Sequence, residues 1–147
     1  YAIKDNLQEE MLRILLKRFI ILCTRIAREK FSVSPEREKA FDMVRQFYVL
    51  VDNHFKEKKM VQDYADMLHR SPKTLSNLFT TCGLPSPLRI IHERIEAEAK
   101  RLLLYSQKSA KEITEILGFE DQATFSRFFK KMTGESVSEY RKREKRE

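Results

Sequence analysis

Apolar residues recur at intervals of three and four along nearly the whole chain, and this spacing is typical of amphipathic helices. No stretch of four or more residues combines strict apolar–polar alternation with enrichment in β-branched side chains, the pattern that indicates a strand. The pattern therefore predicts an all-α fold.

Ser-Pro pairs and glycines divide this pattern into elements. A Ser before a Pro marks a helix start, because the hydroxyl caps the first turn and Pro has no N–H to leave unpaired there. Gly83, Gly118 and Gly134 each follow an apolar segment, where a helix ends in the left-handed conformation that Gly adopts without strain. The predicted helices cover residues 3–29, 35–55, 61–69, 72–81, 87–105, 110–117, 122–132 and 137–142, with Asp121 or Glu120 capping the seventh.

The first helix carries a heptad-like apolar stripe, which must be covered because large exposed apolar patches are rare on soluble monomers. It could fold back on the second helix as ordinary core, or pair with the same helix of a second chain. We favour a homodimer, with parallel and antiparallel pairing both open. The seam residues are Leu12, Leu15, Phe19, Leu22 and Ile26, flanked by Leu7, Met11, Ile14 and Ile21.

An internal repeat of fifty residues predicts two helix-turn-helix units, at about 61–83 and 110–134. The segment Thr74–Phe79, TLSNLF, recurs as Thr124–Phe129, TFSRFF, and the helix before each copy recurs as well. Two amphipathic helices joined by a turn of three or four residues form such a unit. In each second helix, the apolar residues form one face, and small polar or basic residues form the other.

That polar face suits base edges and phosphates in a major groove of DNA. A single unit would be interpreted more simply as a helical hairpin with a solvated face, but two copies in a basic chain favour DNA binding. The candidate DNA-binding residues are Ser71, Lys73, Thr74, Ser76, Asn77, Asp121, Gln122, Ala123, Thr124, Ser126, Arg127, Lys130 and Lys131.

The long fifth helix could hold the two units at the spacing of successive grooves. Nineteen residues at 1.5 Å each give a rod of roughly 28 Å, and major grooves on one side of B-DNA lie about 34 Å apart. The same helix could equally be the centre of a bundle core, and both interpretations are compatible.

Composition and charge further restrict the classes of function that the chain can have. The chain has 147 residues, and 29 Lys and Arg against 22 Asp and Glu give a net charge of +7, which suits a nucleic acid or an acidic protein partner. Its longest apolar run, residues 19–23, is far shorter than a membrane span of about 20 residues. Because residue 1 is Tyr and no signal sequence follows, we expect a fragment of a longer chain.

The cysteines and histidines indicate no catalytic or metal site. Cys23 and Cys82 stand alone, which predicts free, mostly buried thiols in a reducing, cytoplasmic setting. No His lies at motif spacing from either, so an enzyme with a cysteine nucleophile is not supported. The three histidines lack metal-ligand spacing, and no cofactor or metal is expected.

Residues 61–143 resemble the DNA-binding domain of the AraC/XylS family of bacterial transcription regulators. The motifs are Ile113-x-x-x-Leu117-Gly118-Phe119-x-Asp121-x-x-x-Phe125-Ser126-Arg127-x-Phe129-Lys130-Lys131-x-x-Gly134, then Tyr140-Arg141, and Tyr64-Ala65-x-x-Leu68-x-x-Ser71-Pro72-x-x-Leu75-Ser76-x-x-Phe79. One departure is that Asn77 and Thr80 stand where the family often has basic residues.

This resemblance implies a monomeric domain with two recognition helices in consecutive major grooves of an operator, usually in an activator that works with RNA polymerase. It also implies that residues 1–33 end an upstream effector or dimerisation domain, and that residues 34–147 form the DNA-binding domain. The alternative is a helical protein-interaction module with a basic face, which would leave the repeat unexplained.

Overall fold

The computed structural model describes the backbone of residues 6–30 and 34–144 and the side chains of residues 11–26 and 34–143. Over these ranges it is helical, without strands, which confirms the all-α prediction. The helices are α1 (Asn6–Lys30), α2 (Pro35–His54), α3 (Val61–Met67), α4 (Pro72–Thr81), α5 (Pro87–Tyr105), α6 (Ala110–Ile116), α7 (Gln122–Thr133) and α8 (Val137–Glu144). The chain divides into two compact parts, residues 1–39 and residues 40–147, and both helix-turn-helix units lie in the second part.

Most predicted boundaries agree with these bounds to within one or two residues. Helix α3 ends two residues earlier than predicted, because His69 adopts a left-handed conformation with φ 52° and cannot continue a helix. The three glycines have φ between 67° and 83°, which confirms their predicted role as helix stops. The predicted start of the first helix at Ile3 lies outside the described residues.

Helix α1 exposes the apolar stripe that the sequence predicts to be covered. The seam residues Leu12 and Phe19 are 68% and 64% exposed, and the remaining seam residues, Leu15, Leu22 and Ile26, are also exposed. Cys23 lies on the same helix and is exposed too, so the prediction of a mostly buried thiol is wrong for it. Leu7 falls outside the described side chains.

The part formed by residues 40–147 is built around α5. This helix packs against α3 and α4, which precede it in the chain, and against α6, α7 and α8, which follow it. Its buried apolar residues are Ile90, Ile91, Ile95, Ala99, Leu102 and Leu103, which confirms that a single helix supplies core to both helix pairs. Within the described part, every helix is too short or too polar to cross a bilayer.

Aromatic rings complete the core around each helix pair. Phe47 of α2 lies 5.5 Å from Tyr64 of α3 and 5.0 Å from Phe79 of α4, measured between ring centroids. Near the end of the chain, Phe129 of α7 lies 5.4 Å from Tyr140 of α8. Each helix pair is thereby held by its own aromatic cluster as well as by α5.

Candidate nucleic-acid interface

Two helix pairs, α3–α4 and α6–α7, have the predicted helix-turn-helix arrangement. In each pair the first helix has seven residues, a turn of four or five residues follows, and the second helix packs against the first. The second helices, α4 and α7, carry all the candidate DNA-binding residues except the two that cap them.

Helix α4 presents a short polar face of modest charge. Leu75 and Phe79 are fully buried, and they fix which side of the helix points outward. The opposite side exposes Lys73, Ser76 and Asn77. Only one of these three side chains is charged, so this face offers mainly neutral hydrogen-bonding groups.

The N-terminus of α4 is held by two of the candidates, Ser71 and Thr74. The Ser71 hydroxyl accepts a hydrogen bond from the backbone N–H of Thr74 at 3.1 Å, and the two hydroxyl oxygens lie 2.8 Å apart. Both side chains are exposed but already paired with each other. Their capping role is visible in the structure, and a contact with DNA remains a prediction.

Helix α7 has the same design with a more basic face. Phe125 and Phe129 are fully buried, in register with Leu75 and Phe79 of the first pair. The exposed candidates are Gln122, Ala123, Arg127, Lys130 and Lys131, while Thr124 and Ser126 are half-buried. Three cations on one helix face favour contact with phosphates more strongly than the single Lys73 of α4.

Asp121 begins α7 as its N-cap. Its carboxylate accepts a hydrogen bond from the backbone N–H of Thr124 at 2.7 Å, and this bond is the main reason that the pKa of Asp121 lies below its ordinary value. Arg127, one turn further along α7, donates a hydrogen bond to the Thr124 hydroxyl at 3.3 Å. Because a carboxylate repels phosphate, Asp121 suits capping or a base amino group rather than the DNA backbone.

Two basic residues of α8, which are not among the candidates predicted from the repeat, extend this surface. Arg141 and Lys142 line a cleft together with Gln122 and Ser126 of α7. Arg141 also donates a hydrogen bond to the carbonyl oxygen of Lys108 at 2.6 Å, which holds its guanidinium near the start of α6. The basic run at residues 141–143 was the available signal, but its position beside α7 depends on tertiary packing.

The described residues contain no group of three or more His, Cys, Asp or Glu side chains that could hold a metal ion. His92, one of the three histidines, instead packs edge-on against the Phe128 ring at 5.3 Å. Burial, followed by the nearby Lys131 charge, lowers the pKa of His92 and favours its neutral form.

The chain is similar in sequence to helix-turn-helix transcription regulators. A family model described as a helix-turn-helix domain matches residues 64–143. YisR, an uncharacterised helix-turn-helix transcriptional regulator of Bacillus subtilis, is 30% identical over 122 residues, which cover 82% of this chain and 41% of YisR. The arabinose operon regulatory protein of Salmonella typhimurium is 36% identical over 92 residues, 63% of this chain and 31% of that protein.

Among solved structures, the C-terminal domain of AraT, a response regulator from Geobacillus stearothermophilus, superposes with a TM-score of 0.62. It is 28% identical in sequence, and the match covers 75% of this chain and 86% of that one. The chain spans less than half the length of the two curated relatives described above.

Proposed function

The chain belongs to the AraC family of helix-turn-helix transcription regulators, which bind DNA and are not enzymes, and from this membership we propose how it binds. Helices α4 and α7 enter two successive major grooves of one operator, and the bound protein activates transcription. The observation that carries this proposal is the pair of equivalent exposed polar faces, one on each helix, whose apolar faces both pack in a core built on α5.

The length of α5 supports the groove spacing. Its nineteen residues span roughly 28 Å, close to the 34 Å between major grooves on one side of B-DNA. Because α5 packs against both helix pairs, it can hold them in a defined arrangement instead of acting as a flexible linker. A rigid pair of recognition helices pays less conformational entropy on binding.

The two helices contribute differently in this proposal. Lys130 and Lys131 of α7, with Arg141 and Lys142 of α8, neutralise phosphates. Arg127 lies on the same helix and can form a bidentate contact with a guanine edge. The mainly neutral face of α4 adds base contacts of smaller energy, centred on Asn77.

A binding-site selection from random duplexes, followed by salt titration, tests the proposal. We expect selection of two sequence boxes about one helical turn apart, with log affinity falling by about 0.9 per neutralised phosphate for each tenfold rise in salt. An unrelated duplex of equal length is the control for sequence-independent binding. Selection of a single box, or affinity for the selected duplex no higher than for the control, would contradict the two-groove proposal.

The activating role requires a separate experiment. RNA polymerase is the partner that an activator needs, and transcription in vitro from a promoter carrying the selected operator measures the effect directly. Higher transcript yield on adding the protein supports activation. Lower yield would identify the chain as the DNA-binding part of a repressor.

We also propose that α1 forms a homodimer contact. Ten large apolar side chains between Met11 and Ile26 are exposed by 46% or more, an unusual concentration for a soluble surface. A second copy offers a matching apolar stripe, and a two-fold interface between identical stripes closes on itself without leaving a further patch exposed. A dimer would place two pairs of recognition helices on DNA, so the operator would contain direct or inverted repeats.

A further inference from the structure

The segment between α2 and α3 is fixed to the first helix-turn-helix unit. The Tyr64 hydroxyl of α3 donates a hydrogen bond to the carbonyl oxygen of Lys58 at 2.8 Å, and the backbone N–H of Met60 donates one to the Asp63 carboxylate at 3.1 Å. The Tyr64 ring is fully buried, and burial is the largest cause that raises the pKa of this phenol to about 12. Residues 58–60 are therefore expected to move with α3.

One side chain of this segment reaches the second unit. The Lys59 ammonium donates hydrogen bonds to the carbonyl oxygens of Lys56 and Gly118, each at 2.7 Å. These carbonyls lie just beyond the C-termini of α2 and α6, where helices leave backbone acceptors unpaired. The ammonium is half-buried, and this desolvation lowers the pKa of Lys59.

Gly118 brings the two backbones into direct contact at the same point. Its φ of 67° is left-handed, and a Cβ atom placed on it would lie 1.9 Å from the Lys56 carbonyl oxygen. At Gly83, the equivalent glycine of the first unit, a Cβ would meet nothing within 4 Å. The turn of the second unit is thus seated against the α2–α3 segment so closely that no side chain fits between them.

The contact continues from the turn into the second recognition helix. The Lys59 ammonium lies 5.1 Å from the centroid of the Phe119 ring, within the range of a cation–π interaction. That ring lies 5.4 Å from Phe125 and 5.3 Å from Phe128, both on α7. Lys59 is therefore one aromatic contact away from the helix that carries Arg127.

We infer that Lys59 is a positioning residue that sets the angle between the two recognition helices and so the operator spacing that the protein accepts. This inference rests on the proposed binding of α4 and α7 to successive grooves. Helix α5 holds both helix-turn-helix units through its buried apolar face. The Lys59 contact is a second connection, made through different residues, and two connections restrict rotation of one unit relative to the other more than α5 alone does.

Insertion of one base pair between the two selected boxes tests this role. The insertion shifts the second box by about 3.4 Å and rotates it by about 35°. For the unaltered chain, we expect affinity to fall about tenfold or more, within the range that one wrong base pair causes. Lys59→Met keeps the alkyl stem but removes the donor, and we expect its loss on insertion to be below about threefold, because its second unit can rotate to follow.

Lys56→Met is the matched control. Lys56 lies three residues before Lys59 and its side chain is exposed, so this substitution also removes one positive charge but leaves the Lys56 carbonyl in place. It should show the same insertion penalty as the unaltered chain. An equal penalty in Lys59→Met would overturn the role of Lys59 while leaving the two-groove proposal intact. Absence of a penalty in the unaltered chain would overturn both.

A measurement on the unaltered chain covers the case in which Lys59→Met does not fold. Reductive methylation followed by peptide mapping gives the relative reactivity of each lysine. Lys59 should react at least several-fold more slowly than Lys56, because its amine reacts only after leaving the two carbonyl oxygens and the ring that hold it, and once released it no longer has the lowered pKa of the held group. Equal reactivity would show that the contact is not formed in solution and would overturn the inference.

Discussion

At the scale of single residues, the two recognition helices differ most at one equivalent position. Asn77 of α4 and Arg127 of α7 occupy the same place in the repeat, and both are exposed. A bidentate Arg–guanine contact is worth about 1–3 kcal/mol of discrimination, and Arg also gains from phosphate attraction when it does not meet a base. We expect Arg127→Ala to weaken binding to the selected operator more than Asn77→Ala does.

Titration of both variants on the same duplex at one salt concentration measures this difference. Circular dichroism should be unchanged in both, because neither side chain is buried. Equal losses would show that side-chain type does not rank the two helices, and a larger loss in Asn77→Ala would show that α4 provides the main base contacts.

Single residues also show which features the sequence predicts and which it does not. The place of Gly118 after an apolar segment was enough to predict a left-handed helix end, because that requirement is local. Its contact with Lys56 could not be predicted, since the two residues are 62 positions apart and the close approach depends on how α2 and α6 pack. Arg141 was likewise visible as a basic residue, but its place beside α7 was not.

At the scale of helices, the caps tie stability to pH. The hydrogen bonds from the Ser109 backbone N–H and hydroxyl to Glu112 lower the pKa of that carboxyl, as those from Thr124 do for Asp121. A carboxyl whose pKa is lower in the folded state stabilises the fold fully above its unfolded pKa, about 4 for Asp. That contribution is lost as the pH falls from there through the lower folded-state value.

The variant Asp121→Asn removes the negative charge of the side chain but keeps an oxygen that can cap the helix. Asn caps helices about as well as Asp, so we expect the free energy of unfolding near pH 7 to change little. Between about pH 5 and pH 3, urea unfolding of the variant should show a smaller fall in stability than that of the unaltered chain. Ser71→Asn is a control on the other recognition helix and should leave the pH slope unchanged. An unaltered slope in Asp121→Asn would show that this carboxylate has no special role in the folded state.

Helix limits were the most predictable feature of this molecule. Ser-Pro starts, the Asp121 cap and the glycine stops are encoded within a few residues, and the structure reproduces them. The exception is the end of α3, where no Gly or Pro interrupts the apolar pattern. There His69 adopts the left-handed conformation that the other turns assign to glycine, a choice that residue type alone does not indicate.

At the scale of the whole molecule, the repeat predicted two equivalent helix pairs on one connecting helix, and packing on α5 confirms that arrangement. The second connection through Lys59 follows from no sequence pattern, because a lysine in a polar run is usually solvated. The apolar seam of α1 is likewise exposed in the single chain, so the structure shows no partner for it. The seam is recognisable in the sequence, but its partner has to be identified by experiment.

If α1 forms the proposed dimer, salt should affect self-association and DNA binding in opposite directions. Residues 11–26, the part of α1 whose side chains the structure describes, contain four basic residues, Arg13, Lys17, Arg18 and Arg25, and no acidic ones. Two copies that pair through the apolar stripe therefore bring like charges near each other, and salt screens that repulsion. Self-association should strengthen as salt rises from about 50 to 500 mM, over which the Debye length falls severalfold, while affinity for DNA falls.

Sedimentation equilibrium at tens of micromolar measures the first equilibrium directly. Leu15→Glu with Leu22→Glu places carboxylates in the middle of the stripe, and we expect this double variant to remain monomeric at every salt concentration. Because these side chains are already exposed in the folded chain, the substitution should leave the helix-turn-helix core and its thermal unfolding unchanged. A monomer mass for the unaltered chain, matching that of the double variant at high salt, would exclude the dimer and leave the stripe for a different partner.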